Sequence, residues 1–222
     1  MSTEVKCYDV DNTAFYQHLH SLIEAEKKRE GSELNKLFKA GKLDYTHDLN
    51  QPVAHNPLAE WSEGRRAILE YAKALQKSGD LRFNETTMSE IAADATSSTK
   101  KVAMTTFTYY PDIVHALLSE ELINNHGVRQ DQLDKNFKVI GGYPTDGPNS
   151  EKCKDEHVVL AHKEFNVPYV PENTSLRDDS ENNIVRAWSH GMKTIWIDGN
   201  GNDKADTLPV KYHVYKNGKP TY

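Results

Sequence analysis

The stretch from residue 177 to residue 197, RDDSENNIVRAWSHGMKTIWI, decides the fold class. It follows a short strand candidate at 174–177 and contains a helix candidate at 180–190 and a further strand candidate at 193–197. Two adjacent aspartates stand between the first strand and the helix. A strand, a helix and a second strand in close succession indicate two parallel strands connected by a covering helix.

The same alternation occurs in the rest of the chain. Hydrophobic spacing, Gly and Pro positions predict strands at 5–10, 101–107 and 137–140, and helices at 62–79, 111–127 and 155–165. We therefore expect an α/β fold, a three-layer Rossmann-like arrangement with a mainly parallel sheet and helices on both faces.

Residues 14–60 do not continue this alternation. The segment 15–38 has the charge density and scattered apolar spacing of an exposed helix, and 41–60 is interrupted by Pro52 and Pro57. We expect a core domain formed by 1–13 and 61–222, with 14–60 as a small helical cap insertion that covers the core and does not build it.

Composition excludes several classes of protein. The 222 residues include 27 basic and 33 acidic side chains, a formal charge of −6, and no basic run is free of neighbouring acids, so nucleic acid is not an expected partner. No apolar stretch approaches the roughly 20 residues that span a bilayer, and the polar start of the chain is unlike a secretory signal. The two cysteines, Cys7 and Cys153, are too few for a disulfide framework. We expect a soluble protein of a reducing compartment, the cytoplasm.

The first strand candidate ends in Asp9-Val10-Asp11-Asn12-Thr13. Alternation along a strand places Asp9 and Asp11 on the same side, so two carboxylates converge where the chain turns. Like charges at that distance repel unless a cation lies between them, and hard oxygen ligands suit Mg2+. A polar turn without chemistry is the alternative, because Asp and Asn are common in turns.

Two further polar groups follow predicted strands. Asp178 and Asp179 precede Ser180, which is a good helix cap, but a helix start does not explain two adjacent aspartates. Thr105 and Thr106 end the strand candidate at 101–107. Carboxyl ends of parallel strands form the ligand-binding edge of such sheets, so these side chains are candidates for one site.

Four groups of residues occur in a recognisable order along the chain: Asp9-x-Asp11-x-Thr13, Thr105 after an apolar strand, Lys154 before a helix, and Asp178-Asp179 leading into Asn183 and Gly191-Met192. In this order they resemble the four motifs of the haloacid dehalogenase (HAD) superfamily. The resemblance runs from Val5 to about Ile197, and the motifs carry it. It implies a HAD-like fold and a Mg2+-dependent phosphatase that hydrolyses phosphate monoesters through an aspartyl-phosphate.

The resemblance also implies roles for the catalytic residues. Asp9 would attack phosphorus, Asp11 would protonate the leaving oxygen and later deprotonate water, Thr105 would donate to a phosphate oxygen, and Lys154 would offset negative charge. Lys152 is the alternative to Lys154, and Thr106 is the alternative to Thr105.

The metal ligands implied by the resemblance are acidic groups. Mg2+ would be held by the Asp9 carboxylate, the Asp11 backbone carbonyl and Asp179, with Asp178 acting directly or through water.

The expected partner is a phosphorylated substrate, and a phosphotyrosine protein is the form that the resemblance suggests. Four aromatic residues near the motifs could stack on a phenyl ring: Phe15, Tyr16, Tyr109 and Tyr110. The chain is similar to bacterial HAD-type effector phosphatases that act on phosphotyrosine, which makes secretion into a host cell the alternative localisation. A small-molecule monoesterase and a non-catalytic module that binds a phosphorylated partner are the alternative functions. The intact pair Asp9 and Asp11 favours activity, and His18 and His20 are interpreted as surface residues.

Overall fold

The computed structural model describes residues 2–43, 61–142 and 154–197, together with the backbone of short strands at 53–55, 215–216 and 219–220. Within this part of the chain, every helix is too short or too polar to cross a membrane.

Six strands form one sheet: β1 (Glu4–Asp9), β2 (Val53–His55), β3 (Lys100–Thr105), β4 (Phe137–Gly141), β5 (Thr174–Asp178) and β6 (Lys193–Trp196). Their order is β2-β4-β3-β1-β5-β6. All neighbours pair in parallel except β2, which runs antiparallel to β4 at the edge. The strands β7 (Tyr215–Lys216) and β8 (Lys219–Pro220) pair separately as a small antiparallel ladder. The expected mainly parallel α/β sheet is confirmed.

Eight helices accompany these strands in the described residues: α1 (Leu19–Lys28), α2 (Glu33–Lys39), α3 (Glu63–Ser78), α4 (Glu85–Thr96), α5 (Pro111–Asn124), α6 (Gln130–Asn136), α7 (Asp155–Glu164) and α8 (Glu181–Ser189). Their starts follow local chemistry. The side chains of Ser32, Ser62 and Asn84 accept from the backbone N–H three residues on, which satisfies one of the free donors of a first turn.

Apolar side chains lie on both faces of the sheet, as a three-layer fold requires. On one face Val5, Cys7 and Ala103 pack with side chains of α7 and α8. On the other face Tyr8 and Val102 pack with side chains of α3, α4, α5 and α6. Period-two alternation along β1 and β3 therefore supplies both cores, and each fully buried Leu- or Ile-sized side chain contributes roughly 1.5–3 kcal/mol.

The expectation for 15–38 was wrong in two respects. The segment forms two helices, because Gly31 adopts a left-handed φ of 79° and Ser32 caps a new helix. It also builds part of the core, since Leu19, Ile23 and Leu34 are at most 2% exposed within the larger apolar cluster. Apolar positions separated by many charged residues still fall on the buried side of each short helix.

Residues 41–60 are not wholly irregular, because 53–55 form β2 and extend the sheet. The stretches 44–52 and 56–60 lie outside the described residues. The division into a core and a cap at 14–60 stays a prediction.

The strand order locates the functional edge. From β1 the chain proceeds through β3 to β4 on one side, and through β5 to β6 on the other. Ligands bind where the order reverses, beyond the carboxyl ends of the strands. In this sheet that point lies between β1 and β5.

Candidate active site

Asp9 and Asp178 are the last residues of β1 and β5, which are neighbours in the sheet. Lys154, which immediately precedes α7, lies between them. Its ammonium contacts Asp9 Oδ1 and lies 2.8 Å from Asp178 Oδ2. All three side chains are at most 9% exposed, so the sheet edge holds a buried triad of two carboxylates and one ammonium.

The charges of this triad do not balance. Burial raises the pKa of Asp9 well above its usual value; Lys154 opposes this shift, and the carboxylates of Asp178, Asp179 and Asp11 reinforce it. The two contacting carboxylates outweigh burial at Lys154 and raise its pKa, so it remains a cation. Four carboxylates and one lysine therefore line the cavity at this edge, and two of the carboxylates contact the lysine.

Asp178 is held by neutral donors as well as by Lys154. The backbone N–H of Ser180 donates to Asp178 Oδ1 at 2.8 Å, and the Asn183 amide donates to both carboxylate oxygens at 3.1 Å. The motif residues 178–183 thus orient their own aspartate. Asn183 Oδ1 is buried and has no hydrogen-bond partner among the described residues.

Asp179 completes an acidic cluster. One oxygen from each of Asp9, Asp178 and Asp179 lies within 4.8 Å of the others. The amide of Asn12 donates to Asp179 Oδ2 at 3.1 Å. An all-oxygen donor set, excess negative charge and an unsatisfied buried acceptor at Asn183 fit a hard divalent cation such as Mg2+.

Asp11 lies beyond this cluster, at the side of the cavity formed by the start of α1. Its Oδ1 accepts from the Leu19 N–H at 2.7 Å, and its Oδ2 lies 3.3 Å from His18 Nδ1. Burial raises the pKa of Asp11, against the opposing attraction of His18. The carboxyl is thus held in place by two partners, and burial makes it bind a proton more readily than an exposed aspartate does.

The two threonines after β3 occupy different positions. Thr105 pairs with Asp9 in the sheet register, but its hydroxyl donates to the Tyr8 carbonyl at 3.3 Å. Thr106, the alternative in the sequence, lines the cavity. The structure brings Lys154 to the site, whereas Lys152 lies outside the described residues.

A cavity of about 460 Å3 opens above these residues. The cavity is also lined by the side chains of Phe107, Tyr109, His18 and His20, which we call the aromatic wall. The His20 and Tyr109 rings meet edge to face at 5.1 Å. His18 lies beside Asp11, and the Lys154 ammonium lies 5.6 Å from the centre of the Phe107 ring. The cavity thus combines acidic and aromatic side chains.

The structure separates the four aromatic candidates of the sequence. Only Tyr109 of the four lines this cavity. Phe15 is buried and stacks on Phe83, and the buried Tyr110 hydroxyl donates to Glu24. Tyr16 lies on a different groove, beside Arg82.

Sequence reasoning did not indicate that His18 and His20 line the cavity, although the interpretation of His18 as a surface residue is confirmed. His18 is half-exposed and caps α1, while His20 is partly buried with its Nδ1 lacking a partner among the described residues. Their position in the sequence could have indicated this location. They stand at the start of the first helix after the Asp9 motif, where a chain that leaves β1 must pass over the edge of the sheet.

No family model matches the chain. No curated protein matches it either. A solved hydrolase from Pseudomonas syringae is similar at 11% identity and a TM-score of 0.47, covering 91% of this chain and 88% of its own. A protein described as a haloacid dehalogenase-like hydrolase from Bacteroides fragilis is similar at 13% identity and a TM-score of 0.43, covering 96% and 94%.

The architecture of the described residues agrees with the fold that the motif resemblance implies. The five parallel strands of the main sheet have β1 at their centre, and the motif aspartates stand at the carboxyl ends of β1 and β5. The expected α/β, Rossmann-like arrangement is confirmed.

Proposed function

We propose that this protein is a Mg2+-dependent phosphatase that hydrolyses phosphate monoesters through a phosphorylated Asp9. The observation that supports this most directly is the placement of Lys154 between Asp9 and Asp178, beside a cavity that Asp11 also lines. A nucleophile, a charge-neutralising cation and a proton donor thus converge on one space large enough for a phosphate ester.

Asp9, Asp178 and Asp179 would hold the metal, with the Asp11 carbonyl as a further ligand. When bound, Mg2+ would supply positive charge next to the phosphate oxygens.

The first half-reaction uses Asp9 and Asp11. An Asp9 carboxylate oxygen forms a bond to phosphorus while the bond from phosphorus to the ester oxygen breaks, and Asp11 gives its proton to that departing oxygen. Lys154 stabilises the negative charge that accumulates on the carboxylate and phosphate oxygens. Thr106, on the cavity surface, is placed better than Thr105 to donate to a phosphate oxygen.

The second half-reaction reverses the role of Asp11. Its carboxylate takes a proton from water, the water oxygen bonds to phosphorus, and the bond between phosphorus and Asp9 breaks. Inorganic phosphate leaves, and Asp11 is again protonated. The raised pKa of Asp11 supports this cycle, because the residue must both give and accept a proton.

The proposed substrate is phosphotyrosine on a protein. The aromatic wall lies on the side of Asp11, where the leaving group must be, and its rings offer stacking partners to a phenyl group. A cytoplasmic protein, or an effector that acts inside a host cell, would meet such substrates.

The test compares hydrolysis of p-nitrophenyl phosphate by the wild type and by Asp9→Asn in Mg2+. Loss of the nucleophile should lower kcat/KM by at least about 10³-fold, because the covalent route is removed. Asp131→Asn, at an exposed aspartate on α6, is the matched control and should retain wild-type activity.

Equal rates in the wild type and Asp9→Asn, or no hydrolysis by either, would contradict the proposed phosphatase activity. Substrate class is then tested by kcat/KM for phosphotyrosine peptides, phosphoserine peptides and sugar phosphates. A preference for sugar phosphates would favour the small-molecule monoesterase instead.

A further inference from the structure

Asn12 has an unusual backbone conformation directly beside the catalytic acids. Its φ of 56° and ψ of 9° are left-handed, and among the described residues Asn166 is the other non-glycine position with positive φ. Glycine adopts this conformation without strain, whereas a residue with a Cβ does so at a cost that is smallest for Asn and Asp. The side chain at position 12 therefore needs a reason of its own.

The contacts of Asn12 supply that reason. Its amide donates to Asp179 Oδ2 at 3.1 Å, across 167 positions of sequence, and so joins the turn after β1 to the turn after β5. Asp179 is fixed from its backbone as well, because the Trp196 indole N–H donates to its carbonyl at 3.0 Å. Asp179 is thereby held both at its carboxylate and at its backbone carbonyl.

The chemistry of the donor matters as much as its position. Lys154 contacts Asp9 and Asp178 and offsets their charge, whereas the amide of Asn12 orients Asp179 without neutralising it. A carboxylate that is oriented but still charged is suited to bind a cation.

The same residue also fixes the direction of the chain that carries Asp11. The left-handed step at Asn12 follows Asp11 directly, and the turn is closed by the Phe15 N–H donating to the Val10 carbonyl at 2.9 Å. Asn12 therefore lies between the proposed proton donor and the proposed metal ligand, and it contacts the second.

We propose that Asn12 is a positioning residue that holds Asp179 in its metal-binding direction through the side-chain amide. This role rests on the proposed function only in taking the acidic cluster as the Mg2+ site. It acts through Asp179 and requires no contact with substrate.

The test is Asn12→Gly, which is compatible with the left-handed backbone and removes the side chain that carries the amide. Mg2+ binding is measured without substrate, by calorimetry and by the metal-induced rise in unfolding temperature. The Kd for Mg2+ should increase about 10-fold, the lower end of the effect of removing an outer partner of a metal ligand. The metal-free unfolding temperature should stay near the wild-type value, since Gly relieves the strain at this φ.

Asn166→Gly is the matched control, because it makes the same substitution at a φ of 53° on an exposed turn between α7 and β5. It should leave the Kd for Mg2+ unchanged. A second control places Asn12→Gly in an Asp179→Asn background, where the further change in Kd should vanish because the partner is already altered.

Wild-type Mg2+ affinity in Asn12→Gly would overturn the positioning role, as would equal weakening in both glycine variants or full additivity with Asp179→Asn. Failure of the proposed function gives a different result. A wild type that binds Mg2+ but hydrolyses no phosphate monoester would refute the phosphatase and leave the role of Asn12 intact, whereas a wild type that binds no Mg2+ would refute both.

Discussion

Two buried ion pairs in this protein differ in how their charges are balanced. Arg65 of α3 pairs with Asp112 in the first turn of α5, and the two side chains are 3% and 0% exposed. Lys154 is equally buried, but it meets Asp9 and Asp178 together, with Asp11 and Asp179 close by. The first pair has one acid for one base, and the second has an excess of acid.

The surroundings differ in the same way. Arg65 and Asp112 connect two helices and do not line the cavity beside the motifs, whereas Lys154 and its four acids all line it. A buried charge that is paired recovers much of its desolvation cost, while an unmatched buried charge is costly unless a ligand compensates it. Excess negative charge beside a cavity, and not burial of charge by itself, therefore distinguishes the candidate active site at the edge of the sheet.

The largest expected effect is a difference in catalytic activity between variants of Lys154 and variants of Arg65. Lys154→Met should lower kcat/KM about 10²- to 10³-fold, because a preorganised positive charge at the reacting phosphate is removed. Arg65→Met should leave kcat/KM per folded molecule within about 2-fold of wild type, since Arg65 lies outside the cavity. Steady-state kinetics on p-nitrophenyl phosphate check both, and a comparable loss in the two variants would erase the distinction.

The next effect is a difference in the free energy of unfolding between a single variant at Arg65 and a double variant at Arg65 and Asp112. Arg65→Met should lower the free energy of unfolding by about 3–5 kcal/mol, because Asp112 is left buried without its cation. The double variant Arg65→Met with Asp112→Leu should recover most of that loss, since both charges are removed. Urea denaturation measures each; a double variant as unstable as the single one would show that packing, and not charge, explains the cost.

A smaller effect concerns Mg2+ and stability. Binding to the folded state should stabilise the wild type by about 2.7 kcal/mol at a Mg2+ concentration of 100 Kd. Asp179→Asn should reduce this gain, and the double variant at Arg65 and Asp112 should retain it. Thermal unfolding with and without Mg2+ checks the prediction, which fails if Asp179→Asn and the wild type respond alike.

The smallest effect on activity concerns a titrating group outside the cavity, one turn after Asp112 on α5. Burial lowers the pKa of His115 on α5 to about 4, with Lys138 adding to the shift. Because the folded pKa lies below the unfolded value of about 6.5, stability from neutral His115 is complete above pH 6.5 and is lost as pH falls towards 4. The steepest loss is about 1.4 kcal/mol per pH unit.

His115→Gln should therefore lose less stability than the wild type between pH 7 and pH 5, as measured by urea denaturation at each pH. The activity of the two proteins at pH 7 should be the same. A parallel loss of stability in both would show that His115 is not the group that titrates.

Much of the fold could be predicted because its pattern is local. Apolar strands followed by amphipathic helices predicted five of the six strands of the main sheet, including β5, whose single apolar residue made it the weakest. The structure explains that composition: buried Arg177 reaches Thr87 and Glu90 from β5, so a charged side chain fills part of the interior.

Two missed elements have different reasons. Helix α4 carries a helical apolar stripe at Met88, Ile91, Ala92 and Ala95 and a local cap at Asn84, so its signal was present in the sequence although it stands among Thr and Ser residues. Strand β2 is three residues long and exists through pairing with β4, which is distant in sequence. A run that short gives no periodic signal from which a strand could be identified.

The acids and the lysine of the site could be predicted from the order of the motifs. The aromatic wall of the cavity could not be predicted. The structure brings Asp9, Lys154 and Asp178 together as expected. The aromatic wall brings side chains at the start of α1 beside side chains that follow β3, and packing also decides that Thr106 lines the cavity while the Thr105 hydroxyl donates to the Tyr8 carbonyl. These are results of packing, which local pattern does not determine.

The central claim is that Asp9 accepts the phosphoryl group, and rapid acid quench followed by peptide mass spectrometry tests it directly. With a phosphotyrosine peptide and Mg2+, the peptide that contains Asp9 should gain the mass of one phosphoryl group during turnover. The same peptide from Asp9→Asn should not. Turnover without a phosphorylated enzyme, or a phosphoryl group on another residue, would contradict the account.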